Sequence, residues 1–413
     1  MPFINLLPAL LALLSLGPVS ENWPQFRGPN GANHAAARNL PERWNERDHV
    51  RWKVAIHDLG WSSPVLWGDQ VWMTTARADG MELYAVAVDK TTGRVLHDIK
   101  VFSVEKPAFR HATNSYASCT PVIEEGRIYV HFGSYGTACL DTATGKTLWQ
   151  RRDLPCDHFR GPGSSPILYG DGLYMAFDGF DQQYVVGLNK HTGATLWRKD
   201  RDVDFQTHDG DFKKAYGTPS VQRIAGKECI VVSGAMATMA YDPATGKEVW
   251  RVRHGGINAT APPLAGHGLL FLSTGYSGLR LLAVRPEGQG DVTDTQIVWK
   301  FNRGVPTKSS PLLVEDLIYL ANDNGMLTCV EAKEGKLVWQ KRVGGQFSAS
   351  PLFADGKIYC CDEEGTTYVL APGREYKLLA TNKLDDGCMA TPAAVGNALY
   401  LRTKTHLYRI AKK

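Results

Sequence analysis

No apolar stretch in this 413-residue sequence is long enough to cross a bilayer. The longest, Ile4 to Leu16 (INLLPALLALLSL), has the length of an export-signal core, and residues 1–20 are read as a signal peptide. No Lys or Arg precedes that core and Pro18 sits beside the cleavage position near Val19 and Ser20, so a buried N-terminal strand or helix is the alternative. No Lys/Arg run is present, and a formal charge of +4 is small for the length, which argues against nucleic-acid binding. Cys-x-x-Cys-His is absent, which excludes covalently attached haem, and no Cys/His set has zinc spacing. Neither Gly-x-Ser-x-Gly nor a phosphate-binding glycine loop occurs.

What is present is a repeat. Ser118 to Arg152 (SCTPVIEEGRIYVHFGSYGTACLDTATGKTLWQRR) runs from Ser/Thr-Pro through an apolar run and a second run ending in Asp to Thr-Gly, with a Trp four residues after the Gly. The pattern returns over Ser164 to Trp197, Gly217 to Trp250 and Ser309 to Trp339. Proline lacks the N–H a ladder needs, so it marks an edge strand, here the innermost one beside an axial channel. Ser63, Thr120, Ser165, Thr218, Ser310, Ser350 and Thr391, the small neighbours of these prolines, suit a crowded axis. In Asp141 to Gly145 and Asp242 to Gly246 the Gly supplies the positive φ of a hairpin loop. The Trp on the last strand is expected to pack into the next unit, since one small sheet cannot bury its own apolar face.

Proline anchors at positions 64, 121, 166, 219, 262, 311, 351 and 392 imply eight units of four short strands, an all-β eight-bladed propeller. A superhelical solenoid is the alternative. The last unit, Pro392 to Ile410, ends without a Thr-Gly-Trp strand, while an unassigned strand with Trp52, Val50 to Ile56 (VRWKVAI), precedes the first anchor. That strand is expected to complete the last blade and close a propeller spanning 49–413. Residues 21–48 read as an irregular strap whose Trp23, Phe26 and Trp44 plug grooves in the propeller rather than touch a ligand.

These repeats resemble the pyrroloquinoline-quinone-type propeller repeat. It is shared by quinoprotein alcohol dehydrogenases and by non-catalytic relatives such as the propeller lipoprotein of the outer-membrane β-barrel assembly machinery. WPQFRGPNG (Trp23 to Gly31) and Val50 to Thr75 are similar to the entry segment of exported bacterial members. The resemblance implies a periplasmic or secreted location. The dehydrogenases would require a carboxylate base, calcium held by carboxylate and amide oxygens, an Arg on the quinone oxygens and a Trp beneath the ring; no such set is placed on this sequence. Their vicinal disulfide has a formal counterpart in Cys360-Cys361, but on a strand these side chains diverge, and two packed thiols are expected. The other cysteines, at 119, 139, 156, 229, 329 and 388, leave any pairing open, and the first lies too far along to be an acylated N-terminal cysteine.

The spacing from Trp to the next proline is twelve residues at Trp52, Trp250, Trp299 and Trp339, but seventeen at Trp149, twenty-two at Trp197 and twenty-four at His97, which takes the Trp place in blade one. The three enlarged connections are consecutive and are expected to form one raised wall. They carry Arg110, His111 and Asn114; His158 and Arg160; and His208, Asp209 and Asp211. Tyr135 in blade two and the turn with Asp178 and Asp181 in blade three open on the same side. Blade five replaces its Thr-Gly turn by Arg285 to Gln296, and blade seven lacks the docking Trp. The expected protein is a monomeric, non-catalytic scaffold without cofactor or metal, whose partner is a protein or a cell-envelope polymer. The rival is a minimal dehydrogenase of alcohols or sugars using pyrroloquinoline quinone with calcium.

Overall fold

Each repeat folds into four antiparallel strands, because its runs alternate short apolar stretches with turns that only Gly, Asn or Asp enter easily. The computed structural model describes residues 22–413, so the apolar segment Ile4 to Leu16 lies outside the described residues. Blade two shows the pattern: Val122–Glu124, Arg127–His131, Thr137–Asp141 and Thr147–Arg151, in that order from the axis outward. Blade one spans 65–103, blade three 167–200, blade four 220–253, blade five 264–301, blade six 312–342 and blade seven 352–383. Blade eight takes Ala393–Val395, Ala398–Arg402 and His406–Ala411 from the end of the chain and Val50–Ala55 from near its start. The last two pair antiparallel, with Val50 opposite Ile410 and Val54 opposite Leu407. The ring is closed as the orphan strand suggested, and the solenoid is excluded.

Each of the eight prolines directly precedes or lies just before an inner strand. The residue before it has a buried N–H with no strand partner, which must be satisfied some other way. The neighbouring blade's hydroxyl does so: Ser63 N–H donates to Thr120 Oγ1, Thr120 N–H to Ser165 Oγ and Ser165 N–H to Thr218 Oγ1, at 2.9, 2.9 and 3.0 Å. Ser310, Ser350 and Thr391 donate in the same way to Ser350, Thr391 and Ser63, at 2.9, 3.0 and 3.1 Å. This collar is broken at blade five, where Ala261 carries no hydroxyl.

The outer strands lock in the same direction. Trp149 lies on Gly193 of the next blade, where a β-carbon would fall 2.7 Å from its ring, and donates its indole N–H to Lys190 O at 2.9 Å. Trp52, Trp197 and Trp299 repeat this on Gly93, Gly246 and Gly335. His97 does so in blade one, its ring nitrogen 3.2 Å from Thr142 O. Blade five departs from the pattern for a reason the sequence did not reveal: Gly290–Asp291 in its long turn pairs in parallel with the outer strand of blade four, covering an open edge. Trp250 still docks, on Glu287 O at 3.3 Å. Blade seven, without its Trp, presents Tyr376 edge-on to Trp339, 5.4 Å away.

The strap crosses the lower face. It begins against blade one (Trp23 N–H to Leu66 O, 2.9 Å) and passes blade six, where Arg27 donates to Pro311 O at 2.7 Å. It then pairs His34–Ala35 in parallel with Phe353–Ala354 of blade seven, a strand not expected in this segment. Trp23 and Trp44 are buried in the core. All eight cysteines are buried, unbridged thiols. Cys360 packs between blades six and seven and Cys361 between blades seven and eight, on opposite faces of one strand. Among the described residues no helix is long and apolar enough to cross a membrane.

Candidate functional site

The connections between blades and the turns between second and third strands leave the disc on one face, and there the axial channel widens into a funnel of about 490 Å³. The hydroxyl collar forms its throat, Phe26 of the strap reaches it from the other face, and Trp61, Tyr216 and Tyr276 line it. Each collar hydroxyl that accepts the neighbour's N–H still has its own proton to donate.

The three enlarged connections meet as one wall. His111 N–H donates to Arg160 O at 3.2 Å, and Asn114 Nδ2 donates to the carbonyls of Arg160 and Pro162 at 2.9 and 3.2 Å. Arg110 braces the first loop by donating to Asn114 O at 2.8 Å, with its guanidinium over Tyr116. Arg160 then joins the second loop to the third through a two-pronged pair with Asp211, Nε to Oδ1 at 2.9 Å and Nη2 to Oδ2 at 2.5 Å. That pairing holds the Asp211 carboxyl below its usual range. His111, Asn114 and Arg160 reach the funnel.

The other expected residues do not reach the funnel. Tyr135 sits beneath the wall, its OH accepting Ala108 N–H at 3.0 Å. His158 turns inward, its Nε2 accepting Ser134 N–H at 3.0 Å. Asp181 ties the blade-three turn to the second loop by accepting Asp157 N–H at 2.7 Å. Asp209 caps the short 3-10 turn Gly210–Lys213, and His208 is exposed beside it. Asp178, expected on the face, is instead 4 % exposed: at the end of its strand it turns beneath the wall to Arg201, whose guanidinium supplies the counter-charge that burial demands.

Sequence reasoning passed over two features. Lys214 has a fully buried side chain, with Nζ donating to Tyr216 OH at 2.8 Å and lying 3.6 Å from Asp211; burial lowers its pKa to about 8. An aromatic ridge tops the wall: Phe159 lies 5.8 Å from Phe109 and 5.2 Å from Phe180, and Phe109 and Phe212 are 61 and 48 % exposed. Phenylalanines inside polar connections were the available signal.

Two rings near the wall set an acid limit. His131 and His158 flank Phe177 at 5.3 and 6.1 Å, and burial lowers them to about 3 and about 4. Because these folded-state values lie below the ordinary 6.5, the unfolded chain binds the protons more readily. Stability is therefore complete above pH 6.5 and is lost as pH falls toward 4, with His131 alone contributing about 1–2 kcal/mol between pH 7 and 5. Urea midpoints should fall over that range, and less steeply in His131→Phe; parallel slopes for the two proteins would count against this assignment.

A quinone site with calcium would need carboxylates in the funnel, because a hard cation takes six or more oxygens, several of them anionic. The lining offers hydroxyls, Asn114, Asn258, Arg160 and Lys308, but no Asp or Glu. Of the neighbouring carboxylates, Asp211 is held by Arg160, and Glu363 by Lys308 and Ser348 at 2.6 Å each. Asp323 accepts the Thr307 N–H through Oδ2 and keeps a buried Oδ1 without a hydrogen bond among the described residues, one free carboxylate oxygen where calcium needs several. Among the described residues no group of three or more His, Cys, Asp or Glu side chains could hold a metal ion. The residues present do not fit that cofactor pair.

Eight blades of this repeat, a hydroxyl collar and a loop-walled funnel define a propeller of the pyrroloquinoline-quinone repeat class. More particularly, the chain belongs to the family described as outer membrane protein assembly factor BamB, which it matches over residues 43–223 and 288–385. It is 30% identical over 141 residues to a quinoprotein ethanol dehydrogenase of Pseudomonas aeruginosa, covering 31% of this chain and 22% of that protein. It is 21% identical over 248 residues to the outer membrane protein assembly factor BamB of Shewanella oneidensis, covering 55% of this chain and 57% of that one. The chain thus spans less than two thirds of either relative. Its fold is similar to that of a quinohemoprotein alcohol dehydrogenase from Comamonas testosteroni, with a TM-score of 0.68 at 12% identity over 96% of this chain and 81% of that one.

Proposed function

We propose that the protein is an exported, non-catalytic propeller of the cell envelope that works as a single chain and recognises a protein or a cell-envelope polymer through the loop wall and funnel mouth. The observation that carries this reading is the funnel lining, which among the described residues holds no carboxylate to serve as base or calcium ligand. The wall adds support. Its three loops are tied together by Asn114, Arg160 and Asp211, so the surface is formed before a partner arrives and little ordering cost falls on binding. Exposed Phe109 and Phe212 beside His111 and Asp209 give the mixture of aromatic anchors and polar groups that suits a partner of that kind better than a phosphate backbone. The assembly-factor relatives favour a protein partner by analogy.

The rival reading, a minimal pyrroloquinoline-quinone-dependent dehydrogenase of alcohols or sugars, draws on the dehydrogenase relatives. Purified protein mixed with the quinone, calcium, an electron-accepting dye and a panel of alcohols and aldoses is expected to reduce no dye. Reduction that depends on the added quinone would overturn the scaffold reading.

A further inference from the structure

A second cavity, of about 570 Å³, opens between blades four and five and shares no lining residue with the funnel. Arg251 and Arg253 line it from the outer strand of blade four, two positions apart and so on one face. Blade five contributes Arg280 and Lys300, the latter paired across the sheet with Leu282, which also lines the cavity. The connection from blade three covers it with Asp202 and Asp204.

These charges are not equally engaged. Glu248 holds Arg251 at 2.5 and 2.6 Å and Asp291 holds Arg253 at 2.8 Å, whereas the side chains of Arg280 and Lys300 have no ion pair and no hydrogen bond among the described residues. Deeper in stands His254, 9 % exposed. Its Nδ1 accepts the Gly256 N–H at 3.2 Å, which places the ring proton on Nε2, and that atom has no partner among the described residues. Burial lowers its pKa to about 4, so at neutral pH the ring is an uncharged donor. A buried donor without an acceptor is unusual in a folded protein. The backbone is also constrained here: Asp202, Gln206 and Met236, all lining residues, adopt positive φ of 47, 53 and 66°. Such conformations gather at ligand-binding sites more often than elsewhere.

We propose that this cavity binds a single oxyanion group, the carboxylate, phosphate or sulfate of a small ligand or of a chain end, between the Nε2–H of His254 and the cations of Arg280 and Lys300. Each of these groups only donates, and an oxyanion only accepts. Asp202 and Asp204 on the covering loop repel further negative charge, so the site selects one anionic group over a polyanionic chain. The assignment is independent of the funnel and of the scaffold reading.

The test is a thermal-shift and calorimetric titration with sodium acetate, phosphate and sulfate, each against sodium chloride of equal ionic strength. Concentrations stay in the low millimolar range, beneath those at which sulfate and phosphate stabilise proteins by exclusion. At least one anion should stabilise the protein saturably and shift the His254 Nε2–H proton resonance. Preference for acetate identifies a carboxylate ligand, and preference for phosphate or sulfate a tetrahedral one. Arg280→Ala with Lys300→Ala, both exposed and therefore compatible with folding, should weaken binding roughly tenfold or more. The proposal is overturned if no anion exceeds chloride, or if the double variant binds as tightly as the parent.

Discussion

A chain beginning after Ile56 is expected to lose its cooperative unfolding transition, whereas a chain beginning at Asn22 should melt as one unit. Removing Val50–Ala55 strips blade eight of its outer strand and leaves His406–Ala411 as an open edge. It also removes Trp52, whose ring lies on Gly93 and whose indole N–H reaches Lys90 O at 3.2 Å, so the outer-strand contact between blades eight and one is lost. The strap goes too, and with it the bonds from Trp23 to blade one, Arg27 to blade six and Asn33 to Pro351 of blade seven. Stacked repeats depend on each interface, and a ring has no capping unit to protect a broken one. Calorimetry on the two truncations decides it. Equal, sharp transitions would show that the N-terminal strand is dispensable.

The second large effect concerns Asp178 and Arg201, whose side chains are 2 and 3 % exposed. Nε donates to Oδ1 at 2.8 Å, Nη2 to Oδ2 at 2.5 Å, and Nη1 to Val232 O of blade four at 3.2 Å. Burial opposes the arginine's charge, but the facing carboxylate outweighs it and raises the pKa above the ordinary value. Asp178→Asn leaves the cation buried without a counter-charge and should cost about 3–5 kcal/mol in urea denaturation. Replacing both, as Asp178→Leu with Arg201→Met, should cost clearly less, because no unpaired charge remains. A loss below about 1 kcal/mol in Asp178→Asn would mean that water reaches the pair.

The same residue shows how far a sequence can be read at this site. Connection lengths after His97, Trp149 and Trp197 located the wall, because a length difference needs no knowledge of side-chain direction. Composition then suggested polar residues for a binding face, and Arg110, Asn114 and Arg160 prove to hold the wall together while Asp178 is sealed beneath it. Nothing local separates a carboxylate that meets solvent from one that meets a guanidinium twenty-three positions away. The exposed Phe109 and Phe212 and the buried Lys214 reverse the usual preferences of their side chains, so composition pointed away from them.

By itself the sequence determined the blade count, the inner position of each anchor proline, the docking of each outer-strand tryptophan and the strand that closes the ring. These rest on short-range signals repeated at a nearly constant period: a missing N–H, a positive φ at Gly, an indole four residues further on. Only the tertiary structure decided that Phe26 reaches the funnel from the far side of the disc, that the hydroxyls before the prolines join neighbouring blades in a collar, and that His254 keeps an unpartnered donor between blades four and five. Those outcomes depend on which blades become neighbours and on how a strap lies across them, as when Arg27 meets Pro311 284 positions later, and a repeat carries no local record of such distances.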